Sequence, residues 1–180
     1  MAEQFDSLSQ TLVQFIEQQP IFFVATAGPQ GRVNLSPKGQ HSLKVLAPNQ
    51  ILWENRTGSG NETAAHLLQS KRMTLMWCAF SGPPMILRVY GEAQVIHPRD
   101  AEWQHCTEAL PPSMGTRQYF QVNLDLVQTS CGYAVPLMEY QEDRVALDKW
   151  ADKKGLEGVE AYWQEKNQLS IDGQPTGILN

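Results

Sequence analysis

The densest polar stretch of the chain is Glu54-Asn55-Arg56-Thr57-Gly58-Ser59-Gly60-Asn61-Glu62-Thr63. Thr57, Ser59 and Thr63 offer hydroxyls, and Gly58 and Gly60 let backbone N–H groups approach a ligand closely. A strand is predicted before it and a helix after it, so a helix N-terminus would add partial positive charge. That combination suits a phosphate. No Gly-Lys-Ser/Thr follows, so it is not a nucleotide P-loop. The same residues would also serve as a plain helix start, with Asn61 or Ser59 as the cap and Glu62 in the first turn. Residue chemistry alone leaves both readings open. Glu62 would repel a phosphate unless its carboxylate points away or meets Arg56 or Arg88.

Two further clusters could join such a site. Arg32, Asn34 and Ser36 alternate along a predicted strand and so share one face, with Lys38 opening the following loop. Arg88 shares a strand face with Tyr90, Glu92 and Gln94, where its planar donor fork could reach a phosphate. Either cluster would look the same as a solvated surface. The four histidines, His41, His66, His97 and His105, lack metal-ligand spacing. No Gly-x-Ser-x-Gly elbow supports a hydrolase triad.

The elements that must position these groups are mostly strands. Residues 21–27 and 32–36 flank a Gly-Pro-Gln-Gly turn and form the clearest hairpin signal. Further strands are expected at 43–47, 50–54, 72–79, 85–96 and 119–130. Helices are expected at 7–18, where Ser7 and Gln10 have capping-box spacing, at 61–69 and from Pro98 to about 109. Two more are expected near 144–151 and 156–167. Tight turns and the lack of a βαβ rhythm predict a closed or nearly closed barrel, for which six strands suffice.

The chain has 180 residues, enough for one domain with a real core. Its formal net charge of -5 argues against a duplex-binding protein. Three cysteines, Cys78, Cys106 and Cys131, make a poor disulfide framework. The first ten residues lack a secretory pattern, and apolar runs are too short to span a membrane. Cytoplasmic residence is therefore the expectation.

In order, the motifs resemble the pyridoxamine 5'-phosphate oxidase-like superfamily of FMN-binding split barrels. The resemblance rests on Leu35-Ser36-Pro37-Lys38-Gly39, Gly58-Ser59-Gly60-Asn61-Glu62-Thr63, Leu87-Arg88-Val89-Tyr90-Gly91 and Thr129-Ser130-Cys131-Gly132-Tyr133. The late stretch Asn167-Gln168-Leu169-Ser170-Ile171-Asp172-Gly173 is also similar to an uncharacterised branch of that family. The resemblance covers about residues 8–175.

It implies a mainly β, six-stranded split barrel with peripheral helices, a single domain over 1–180 with a helical segment at about 140–170. It further implies a homodimer with non-covalent FMN at the interface, a small-molecule substrate, and no nucleic-acid or membrane partner. The residues Arg32, Val33, Asn34, Leu35, Ser36 and Lys38 match the strand that lines the flavin ring and ribityl chain. A backbone amide or hydroxyl from 33–36 is expected near N5, and Lys38 near N1 and O2. Asn55, Arg56, Thr57, Gly58, Ser59, Gly60, Asn61 and Thr63 match the phosphate segment. Arg88 matches a strand arginine near the phosphate, and Tyr133 is expected to cover the ring from a second subunit. The chain departs from the oxidases at Ser59 and Gly60, where they carry an Arg-Lys pair. It also lacks their Arg-x-His substrate signature, so the resemblance implies a flavin-dependent oxidoreductase of another specificity. A non-catalytic flavin or haem binder, a deazaflavin-dependent reductase and a structural protein are the rival readings.

Overall fold

The computed structural model describes residues 2–179. Its eight strands are β1 (Glu3–Phe5), β2 (Phe22–Thr26), β3 (Asn34–Lys38), β4 (Leu43–Ala47), β5 (Gln50–Arg56), β6 (Arg72–Cys78), β7 (Ile86–Ile96) and β8 (Thr116–Ser130). Four helices surround them: α1 (Gln10–Gln18), α2 (Glu62–Leu67), α3 (Trp103–Ala109) and α4 (Ala146–Lys166). The strands form one antiparallel sheet in the order β3-β2-β6-β7-β8-β5-β4, with β1 added to β8. The fold is thus mainly β with peripheral helices, and the sheet has eight strands where six were expected. Among the described residues no ladder joins β3 to β4.

Alternation explains the core. Leu87, Val89 and Ala93 of β7 point to the same buried cluster as Phe120 and Val122 of β8, Leu75 and Trp77 of β6, Val24 of β2, and Ile51 and Trp53 of β5. Strands remote in the pairing order share one cluster because the sheet curls around it. Leu12 and Ile16 of α1, with Leu8 just before it, and Ala64 and Leu67 of α2 close that cluster. A second cluster forms on the other face, where Trp103 and Cys106 of α3 pack on Leu52, Ile96 and Tyr119.

Several boundaries differ from the sequence expectation. Ser9, not Ser7, caps α1, its hydroxyl accepting from the Leu12 amide at 3.3 Å. The return strand of the first hairpin begins at Asn34 and runs through Pro37 to Lys38, so Lys38 is strand and not loop. Proline is tolerated there because β3 pairs on one side only, with β2. The two expected C-terminal helices are present within the span α4, separated by a kink at Gly155 with φ 66° and ψ 173°. No helix among the described residues is long and apolar enough to cross a membrane.

Candidate functional site

β3 carries Asn34, Ser36 and Lys38 at alternate positions, so all three face one side. They form one wall of a cleft of about 580 Å³. Trp53, Asn55 and Arg56 at the end of β5, and the turn 58–63 that leads into α2, form another. Arg117 of β8 and residues 169–171 of the C-terminal turn complete the lining. The volume lies in the range of small-molecule sites.

Two cations face this cleft under conditions that disfavour charge. Lys38 Nζ lies 5.3 Å from the centre of the Trp53 ring. Burial and the nearby Arg117 charge push its pKa down to about 8. Arg117 is 4% exposed. Burial pushes its pKa down to about 9, against opposing contributions from Tyr162 and Glu62. Arg117 donates to Asn167 Oδ1 at 2.9 Å and to the Gly60 carbonyl at 2.8 Å, while its Nε is buried without a partner. Neither cation has a salt-bridge partner among the described residues. An anionic or electron-rich ligand would relieve both.

The turn itself is built differently from a capped helix. Asn61 holds the cap position but makes no side-chain hydrogen bond to its own helix. Its carboxamide pairs with that of Gln118, accepting at 2.8 Å, and also accepts from Asn55 at 3.4 Å. The backbone amides of residues 58–61 donate to no protein acceptor among the described residues. They remain available to a ligand, as does the exposed Ser59 hydroxyl. α2 spans six residues, too short for its dipole to dominate an anion site. Glu62 meets neither Arg56 nor Arg88; its carboxylate accepts from the Ile171 amide at 3.0 Å, tying α2 to the C-terminal turn.

The other expected residues divide clearly. Asn34, Ser36, Lys38, Asn55, Arg56, Gly58, Ser59, Gly60, Asn61 and Thr63 converge on the cleft. Arg56 does so with its charge already engaged, by Glu54 at 3.2 Å and Asp148 at 3.0 Å. Thr57 is buried behind the turn; its hydroxyl donates to the Gly115 carbonyl at 2.8 Å and accepts from Trp163 Nε1 at 2.7 Å. Arg32 lies outside the strand and binds Asp172 of the C-terminal turn. Val33 and Leu35 point outward, 73% and 64% exposed, as alternation with Asn34 and Ser36 requires. Arg88 lies on the opposite face of β7 from the core residues and donates to Ser130 Oγ at 3.2 Å, away from the cleft. Tyr133 is 83% exposed in the irregular segment after β8.

Sequence reasoning missed Arg117 and Trp53. Arg117 falls two residues before the expected start of its strand, and alternation extended backward from Phe120 and Val122 would have put it on the opposite face; the register shift that leaves it between Gln118 and Thr116 is not a local signal. Trp53 reads as core, and it is, stacked on Phe120 at 4.7 Å, but it also floors the cleft beneath Lys38. No group of three or more potential metal ligands occurs among the described residues.

Comparison with known proteins places this architecture. Residues 8–131 match the family model described as pyridoxamine 5'-phosphate oxidase. The chain is 33% identical to the pyridoxamine 5'-phosphate oxidase family protein ustO of Aspergillus flavus, over 95% of this chain and 76% of that protein. Among solved structures it is similar to a variant of HupZ from Group A Streptococcus, with TM-score 0.54, 14% identity and coverage of 67% of this chain and 98% of that one. A pyridoxamine 5'-phosphate oxidase candidate from Lactobacillus delbrueckii gives TM-score 0.52 and 17% identity, covering 68% and 94%. At these identities the structures speak for the fold alone.

Proposed function

The chain belongs to the pyridoxamine 5'-phosphate oxidase family, in a divergent branch of its split barrels, and from that premise we propose that its cleft holds FMN non-covalently in a flavin-dependent oxidoreductase acting on a small molecule. The observation that carries this reading is the pair of desolvated cations, Lys38 and Arg117, facing one cleft beside free backbone amides. The donor set fits a ligand with a phosphate and a ring edge that carries hydrogen-bond acceptors. Arg117, Ser59 and the amides of 58–61 would hold the phosphate. Lys38, Asn34 and Ser36 would face the ring above Trp53. The finer reading of the sheet, a six-stranded closed core with β1 and an outer strand as additions, belongs to the same proposal.

Bound there, the flavin would supply hydride chemistry. The protein's own part is positional and electrostatic. Lys38 stabilises negative charge on the ring, and Asn34 and Ser36 orient its edge. Residues 169–171, held by Glu62 and by the Arg32–Asp172 pair, line one side of the cleft. Arg88 and Tyr133 lie outside the cleft of their own chain, so any role they have requires a second copy across the interface. Pyridoxamine phosphate is not the proposed substrate, because the chain lacks the oxidases' Arg-x-His substrate signature.

Calorimetric titration of the ligand-free chain with FMN tests the reading. Saturable one-to-one binding at micromolar concentrations is expected, together with the visible absorption of an oxidised flavin in the purified protein. No binding at those concentrations would overturn it.

A further inference from the structure

Thr26, Asn34, Thr63 and His66 form a hydrogen-bonded chain that links the cleft to a buried histidine. Asn34 and Thr63 border the cleft. His66, buried on α2, borders a second cleft of about 450 Å³ together with Asp172. Thr26 lies between them, 3% exposed. Its Oγ1 is 3.1 Å from His66 Nδ1 and 3.4 Å from the Asn34 carboxamide nitrogen, which is 3.2 Å from Thr63 Oγ1.

A carboxamide has a donor end and an acceptor end, a hydroxyl donates one hydrogen, and a neutral imidazole has one nitrogen of each kind. Two arrangements satisfy all four groups. In the first, Thr26 donates to His66 Nδ1 and accepts from the Asn34 NH2, which also donates to Thr63. The Asn34 carbonyl is then left to the cleft. In the second, His66 Nδ1–H donates to Thr26, and both threonine hydroxyls donate to the Asn34 carbonyl. The Asn34 NH2 is then left to the cleft. Thr26 has one hydrogen and cannot donate both ways.

We propose that His66, acting through Thr26, sets whether Asn34 shows the cleft an acceptor or a donor. Neutral His66 with its hydrogen on Nε2 accepts from Thr26 at Nδ1 and turns the carbonyl to the ligand. A second proton on the ring makes Nδ1 a donor, which frees the Thr26 hydrogen for the Asn34 carbonyl and turns the NH2 to the ligand. His66 and Thr26 are positioning residues, and Asn34 is the group that meets the ligand. The matching ligand edge is a heteroaromatic ring nitrogen that accepts in one state and carries N–H in another. A flavin has such nitrogens, so this use rests on the FMN reading, whereas the relay does not.

The charged surroundings of His66 are few. Asp172 of the C-terminal turn interacts with it electrostatically and is engaged by Arg32. Glu62, one turn earlier on α2, is directed to the Ile171 amide. β2 and β3 present the neutral Thr26 and Asn34.

NMR of the ligand-free, full-length chain tests the relay. The side-chain amide signals of Asn34 are expected to shift with the same pH midpoint as the His66 ring. Thr26→Val, close in shape but without the hydroxyl, should leave His66 titrating and abolish the Asn34 shift. Thr26→Ser should retain it. His66→Gln, a second break in the chain, should freeze the Asn34 signals. Asn34 signals that ignore the His66 titration in the wild type, or that follow it unchanged in Thr26→Val, would overturn the proposal. Adding FMN to the same samples separates the two readings. A working relay with no FMN binding removes the cofactor and keeps the relay; FMN binding with pH-silent Asn34 signals does the reverse.

Discussion

Arg117 holds a guanidinium almost out of solvent, with two donors on protein oxygens and Nε without a partner. Replacing it with Met removes the cation that binds the Gly60 carbonyl. Arg117→Met is expected to weaken FMN by about 2 kcal/mol, roughly 30-fold, and riboflavin far less. Calorimetry with both ligands reads this, and equal losses would take Arg117 off the phosphate. Lys38 makes a pH prediction. Its pKa of about 8 lies below the ordinary 10.5. It loses its proton as pH rises past about 8, so flavin binding should weaken there, and Lys38→Met should flatten the profile. Ligand-free stability should move the other way. Between about 8 and 10.5 the unfolded chain binds the extra proton, so stability rises with pH across that window. Denaturant titrations at several pH values check the sign.

At the scale of elements, the long β7–β8 ladder sets the frame, and its bulge falls between Tyr90 and Gly91. A Cβ on Gly91 would lie 2.1 Å from the Asn123 carbonyl oxygen, a backbone atom with little freedom to retreat. Gly91→Ala should therefore destabilise the fold by about 3 kcal/mol, read as a lower urea midpoint. Unchanged stability would mean the bulge can shift register. β3 is an edge strand, yet it supplies a whole cleft wall. Its placement depends on β2 and on the Arg32–Asp172 contact with the C-terminal turn.

For the molecule as a whole, the outer sides of β3 and of the segment after β8 leave Val33, Leu35, Tyr133 and Leu137 exposed. Burial against a second copy would cover such groups and could bring Arg88 and Tyr133 to the cleft of the partner molecule. The chain is accordingly expected to sediment at twice its 20.2 kDa. A single species at the monomer mass would detach Arg88 and Tyr133 from the cofactor.

Most strands were legible in the sequence because period-two alternation and turn residues are local signals. The hairpin around the Gly-Pro-Gln-Gly turn, the 85–96 strand and the break of the last helix at Gly155 all follow from residues a few positions apart. Local signals also marked the polar turn at 58–63 and the alternating Asn34 and Ser36. They could not separate residues that face the cleft from neighbours engaged elsewhere. Thr57 is taken by Gly115 and Trp163, Arg56 by Glu54 and Asp148, and Arg32 by Asp172, all but Glu54 far off in sequence. The convergence of Lys38, Trp53 and Arg117 was equally out of reach, since it arises where three strands meet over one core. The sequence by itself determined most of the elements, though not the short β1, and which side of most strands is polar. Only the tertiary structure decided which charges lose their water, because desolvation depends on what packs across a strand and not on what precedes it along the chain.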